Sequence, residues 1–320
     1  MKNFSVLFFV LISVFSCKKE SQVEKKIANI PIDYIIERFD IAFGETTAEN
    51  LTETKNAYPF LFSEKYTDSF WIAKVNDTLQ QQLTEESARV FLDLKEEKKE
   101  ITQLFQHLTY YFPEFKTPRV ITTTSTVDYR NKVIVTDTIV LISLDTYLGS
   151  DHEFYQGIQK YLRQGFVKEQ IVVDMAAEYS EKYIYQQQVK TLLDEMIYYG
   201  KQLYFKDLVI PFKTDAEKIG YSQEQIDWAN ANETEIWRFF VERELLYSTD
   251  ASLPNRFINP APFSKFQLEE IDRESPGKIG RYMGWQIVKA YMANNQVSIK
   301  DMLQKEAKEI FNQSNFKPKK

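Results

Sequence analysis

The chain opens on a short basic start, Met1-Lys2-Asn3. An almost wholly apolar run follows from Phe4 to Phe15, interrupted only by Ser5 and Ser13. The run is shorter than the roughly 20 residues a bilayer-crossing helix needs, and it has the length of a signal-peptide core. Ser16-Cys17 comes directly after it. Val14 suits the position three before the cysteine, while Phe15 is larger than the small residue usual at the next position. The pattern predicts a lipoprotein signal over residues 1–16, cut before Cys17, with the new N-terminal cysteine carrying acyl chains such as palmitate. Lys18 to Asn29 is polar and charged, with isolated Val23 and Ile27. Residues 17–30 are therefore expected to be the lipidated cysteine and a tether, and residues 31–320 a single helix-rich domain.

Within that domain the apolar positions recur mostly at helical spacing. Pro31 is read as opening a helix through Ile32, Ile35, Ile36, Phe39, Ala42 and Phe43, which Gly44 ends. Short helices are predicted over 47–57 and 68–76. One long helix is predicted from Leu79 to Phe112, stopped by Pro113. The period then shortens. Residues 119–126 (RVITTTST) and 132–144 (KVIVTDTIVLISL) are β-branched and read as strands. Helical spacing returns near 152–161, 166–184, 187–203, 222–246, 277–294 and 298–311, with prolines in the gaps. The expected class is mostly α with a small inserted β-sheet.

Composition narrows the functions available. Net charge is −6, and −7 once Lys2 leaves with the signal, which argues against a nucleic-acid partner. No later apolar stretch is long enough to span a membrane. Cys17 is the one cysteine in the chain, so no internal disulfide forms and the fold rests on its core. With 43% hydrophobic residues, that core is large.

Candidate chemistry is sparse. The only histidines are His107, inside a predicted helix, and His152, at a loop-to-helix junction; both are read as structural. No nucleophile elbow, phosphate-binding loop or dinucleotide fingerprint occurs. In Gln170-IVVDMAAEYSEKYI, Asp174 and Glu178 share a helix face at i and i+4. A helix with two ligands at that spacing, after a strand, is the layout of zinc peptidases. Here neither position is histidine and Met175 stands where the general-base glutamate would be, so Asp174 and Glu178 are weak metal candidates and no cofactor is expected. Glu233, Glu235 and Glu242 form a further acidic set, read as solvated surface. The 47 aromatics are assigned mainly to the core, with glycan stacking as a lesser reading. Gly277, Gly280 and Gly284 recur at spacings of three and four, and are read as a close-packing face, since each glycine costs a helix up to about 1 kcal/mol against alanine.

Four stretches carry a family resemblance: Ser16-Cys17-Lys18-Lys19, NPAPF at 259–263, SPGKIGRYMGWQIVKAYM at 275–292 and the ending IFNQSNFKPKK. Together they resemble the gliding-motility lipoprotein GldB family of the Bacteroidetes, along the whole chain. The resemblance implies a cell-envelope protein with a periplasmic domain that serves gliding motility and the associated type IX secretion apparatus, with those proteins as partners. It supplies no catalytic residues. The strand-then-helix layout is also similar, remotely, to zinc-peptidase-like proteins, which implies a degenerate zincin-like scaffold without its ligands. The leading functional expectation is a non-enzymatic assembly component. A metal-dependent hydrolase at Asp174 and Glu178, and a glycan-binding module, are the alternatives.

The anchor is directly testable. Cys17→Ala should abolish fatty-acid labelling and release the protein from the membrane fraction; unchanged labelling would refute the lipoprotein assignment.

Overall fold

The computed structural model describes residues 22–185 and 190–319. Cys17 and the predicted signal lie outside the described residues. The first half holds α1 (Gln22–Ala28), β1 (Ile36–Arg38), α2 (Phe39–Gly44), α3 (Leu51–Ala57), α4 (Asp68–Val75), α5 (Thr78–Val90) and α6 (Lys95–Tyr111). Strands β2 (Arg119–Thr123), β3 (Val133–Val135) and β4 (Ile139–Ser143) follow. Then come α7 (Lys160–Arg163), α8 (Ile171–Tyr183), α9 (Leu192–Val209), α10 (Asp215–Ile219), α11 (Gln223–Ala231) and α12 (Glu233–Glu242). The chain closes with α13 (Leu253–Phe257), α14 (Glu269–Glu274), α15 (Ile279–Asn294), α16 (Ile299–Gln304) and α17 (Ala307–Ser314). The class is α+β, a helical domain around one small sheet.

The sheet has the order β1-β2-β4-β3. β1, β2 and β4 run parallel, and β3 pairs antiparallel with β4 at the edge. A parallel sheet is normally covered on both faces, and alternation along β2 shows that here. Val120 enters the main core with Val140 and Ile142. Ile121 points the other way, into a smaller core of Phe39, Phe43, Leu51, Phe62, Trp71 and Val75.

Three expectations are corrected. The helix predicted from Pro31 is a strand followed by a short helix. Ile36 pairs with Val120, and Glu37 binds Arg119 across the two strands at 2.7 Å, so a partner distant in sequence overrides the local period. The long helix predicted from Leu79 to Phe112 breaks at residues 91–94. Leu94 takes a left-handed φ of 47°, Arg38 donates to the Phe91 carbonyl at 2.7 Å, and Phe91 and Leu94 are both buried while Leu92 is 84% exposed. The break thus turns two apolar residues inward and leaves one outside. Lastly, the tether expected over 17–30 is a helix from Gln22. Ile27 is 1% exposed, and His107 of α6 binds Glu24 at 3.1 Å.

The principal contact of the main core is between α9 and α15. Gly200 of α9 faces Gly284 of α15. A Cβ on Gly284 would overlap the Met196 carbonyl, and one on Gly200 would overlap the Gly284 carbonyl. Gly280 lies against Ile258 and Phe257. Gly277 precedes the helix and abuts the Ala261 carbonyl, so the three glycines of this stretch serve different neighbours.

Gly284→Ala should lower unfolding stability by about 3 kcal/mol through overpacking against backbone. Gly165→Ala, whose Cβ would meet nothing nearer than 4.0 Å, should stay within about 0.5 kcal/mol. Urea denaturation of the two variants measures the contrast.

Candidate functional site

α8 is apolar on most sides. Ile171, Val172, Val173, Met175, Ala176 and Tyr179 are buried, and Asp174 and Glu178 lie on its remaining, half-buried stripe. Asp174 is not free. It accepts a hydrogen bond from Tyr147 Oη at 2.8 Å and an ion pair from Lys132, which stands just before β3. Asp145, buried where β4 ends, accepts the backbone N–H groups of Ser125 and Val127, and so pins the loop that carries Tyr147. Glu178 has a different setting. Burial, with Glu181 and Asp174 near by, pushes its carboxyl up to about 7.

These donors do not fit a zinc ion. The position facing Asp174 is filled by an ammonium group, Met175 can neither ligate as a hard donor nor act as a base, and both histidines lie elsewhere. Among the described residues no group of three or more His, Cys, Asp or Glu side chains is placed to hold a metal. His107 is buried on α6 between Glu24 and the Gln103 carbonyl. His152 accepts from the Phe154 N–H and meets Glu86.

Beside Asp174 lies a set of cations that sequence reasoning missed. Lys206 on α9 is 9% exposed and donates to the Lys218 carbonyl at 3.0 Å. Lys278, left-handed at the start of α15, donates to the next carbonyl, of Ile219, at 2.7 Å. Two ammonium groups therefore sit side by side on the C-terminal carbonyls of α10. One turn along α15, Arg281 donates to the Ile258 carbonyl at 2.7 Å, and its guanidinium lies 3.7 Å from the centre of the Tyr199 ring. Lys132 lies over the rings of Tyr147 and Phe166.

Other cations near by have carboxylate partners. Lys213 pairs with Glu100, Lys218 with Asp207, and Lys289 with Asp215. Among the described residues no carboxylate lies within ion-pair distance of Lys206, Lys278 or Arg281. Burial, with the neighbouring positive charges, pushes Lys278 down to about 7 and Lys206 down to about 8, and lowers Arg281. One signal in the sequence was available: Lys206, with Asp207, interrupts the apolar run Leu203–Ile210, between buried Phe205 and buried Val209.

The acidic residues of α12 have different settings. Glu233 is buried and binds Tyr282 Oη at 2.8 Å and the Lys319 N–H, contrary to a surface reading. Glu235 and Glu242 border a groove of about 340 Å³ whose apolar residues include Ile236, Phe239, Phe266 and Leu268.

Lys278 generates a pH prediction. Its value of about 7 in the fold, against 10.5 when free, means the unfolded chain holds more protons between those values, so this residue's contribution to stability rises with pH there. The groups facing it are Arg281, Lys206, Lys132, Asp174 and the Tyr221 ring. Its destabilising effect is complete below about pH 7 and vanishes toward 10.5. Any stability advantage of Lys278→Met over the wild type should fall by at least ~1 kcal/mol from pH 6 to pH 10. Denaturation of both proteins across that range measures it, and a pH-independent difference would contradict it.

Among the described residues no helix is long and apolar enough to cross a membrane. Searches of curated proteins and of solved structures gave no match. The family described as gliding motility protein GldB matches residues 20–318. That match spans both the helix packed on α6 and the glycine-bearing α15, and by it the chain belongs to the GldB family of gliding motility proteins.

Proposed function

We propose that this protein is a lipid-anchored component of the gliding machinery in the cell envelope, with its domain in the periplasm. It acts by contact with other gliding-motility and type IX secretion proteins, without chemical turnover. The observation that carries this reading is the family match over residues 20–318. The Ser16-Cys17 pair just before the matched region supports the lipid anchor. The engagement of Asp174 by Lys132 and Tyr147 supports a binding role over a hydrolytic one.

A second reading, a hydrolase on the same helix, draws on one observation. Glu178 at about 7 could exchange a proton near neutral pH. Glu178→Gln separates the two, because it keeps the shape and removes the acid. Under the proposed function, cells carrying Glu178→Gln glide at wild-type speed with wild-type protein levels. Loss of gliding at unchanged protein level would favour the hydrolase. Crosslinking in the native envelope should capture proteins of the gliding and secretion apparatus. Stoichiometric metal in the purified protein that disappears in an Asp174→Ala/Glu178→Ala variant would overturn the reading.

A further inference from the structure

Lys206, Lys278 and Arg281 converge from two helices on the C-terminal end of a third, with Lys132 across from them on the sheet side. The bland account is that the two lysines cap α10, since cations are favoured at helix C-termini. It explains one donor on Lys206 and two contacts of Lys278, and leaves Arg281 unexplained. α10 spans only Asp215–Ile219, and Gln164 already donates to the Gly220 carbonyl that follows it, at 3.0 Å. Lys206 spends one N–H on a carbonyl, and Lys278 reaches only Ile219 and Gly220. Arg281 spends its Nε–H on Ile258, while its guanidinium face is stacked on Tyr199.

The charge does not balance locally either. Four cations face one another, and the carboxylates that reach them are Asp174, bonded to Lys132, and Glu195, near Arg281. Buried charges are normally paired. The chain as a whole is acidic, at −6, so a positive excess at one half-buried place runs against its average. The edge of the place faces solvent: Lys132 keeps 18% of its side chain exposed and Asp174 keeps 25%.

We propose that Lys206, Lys278, Arg281 and Lys132 form a binding site for a phosphate group. With all four groups protonated, as a bound anion would hold them, four cations against two carboxylates leave room for two negative charges, which a phosphate monoester nearly supplies at neutral pH and a carboxylate does not. The groups suit it as well. Two ammonium groups with N–H donors left over act as point charges, and a guanidinium supplies a planar fork. The rings of Tyr147 and Phe166 lie against Lys132, Tyr221 against Lys278 and Tyr199 against Arg281; apolar neighbours of this kind lower the local dielectric, which strengthens a charge-assisted hydrogen bond. The phosphate source is either a free phosphate ester or a lipid headgroup.

The test is calorimetric titration of the full chain, purified in detergent. The ligands are glycerol 3-phosphate, inorganic phosphate and dihexanoyl phosphatidic acid below its micelle concentration, with acetate as the singly charged control. The expected result is one saturable site per chain for at least one of the phosphates, with acetate at least tenfold weaker. Which phosphate binds tightest distinguishes the free ester from the headgroup. Lys278→Met and Arg281→Met should each weaken binding at least tenfold. Lys289→Met, whose ammonium pairs with Asp215, should bind as the wild type does. Should the Arg281 variant fail to fold, Lys278→Met and a phosphate-dependent rise in the wild-type Tm carry the test. No saturable binding by any of the phosphates at millimolar concentration, equal binding of acetate, or unchanged binding by folded Lys278→Met would overturn the proposal.

Discussion

At Gly200 and Gly284 the backbones of α9 and α15 meet with no side chain between them. Neither position can take even a methyl group, so the two helices have one separation available to them. Much else follows from that separation. It places Asp207 of α9 where Trp285 of α15 donates to it at 2.7 Å and Lys218 of α10 reaches it at 2.9 Å, which ties a third element to the pair. It also sets Arg281 over Tyr199 and brings Lys278 and Lys206 to neighbouring carbonyls at the end of α10. Interiors packed at crystal density transmit such a constraint with little give. A pair of glycines thus determines where the charged groups of the domain converge.

Those charged groups fall into two kinds. Asp207, Lys218, Lys289 and Asp215 neutralise one another and act as mortar between helices. Lys206, Lys278 and Arg281 rest on carbonyls and rings, with the balancing charge missing, which is an arrangement for holding a ligand. Asp174 stands between the two kinds. Its bond to Lys132 settles one cation.

Much of this was legible in the sequence, and the losses have physical causes. The β-branched run at 132–144 announced strands, yet one continuous period could not show that residues 136–138 turn it into a β3–β4 hairpin. The helical spacing from Ile32 to Phe43 was genuine but local, and β1 exists because Val120 lies across from Ile36. Leu94 gave no sign of a left-handed break, because nothing in its neighbourhood is glycine or asparagine. The tether looked polar because Ile27 stands nearly alone among charges, and its burial depends on α6. The glycines of α15 were visible as a face, while their partner Gly200 was not. The cation cluster was the least legible feature: its members lie on three separate segments, and apart from Lys206, set in an apolar run, each reads singly as an ordinary surface lysine or arginine. The family, by contrast, was readable from short stretches of text.

The cluster is where the account is most exposed to contradiction. Tungstate has the shape and charge of phosphate and scatters anomalously, so diffraction from crystals of the protein soaked in it would locate bound anions directly. The account predicts one strong peak within hydrogen-bond reach of Lys206 Nζ, Lys278 Nζ and the Arg281 guanidinium. Tungstate bound elsewhere on the protein, with no peak at those three groups, would contradict it.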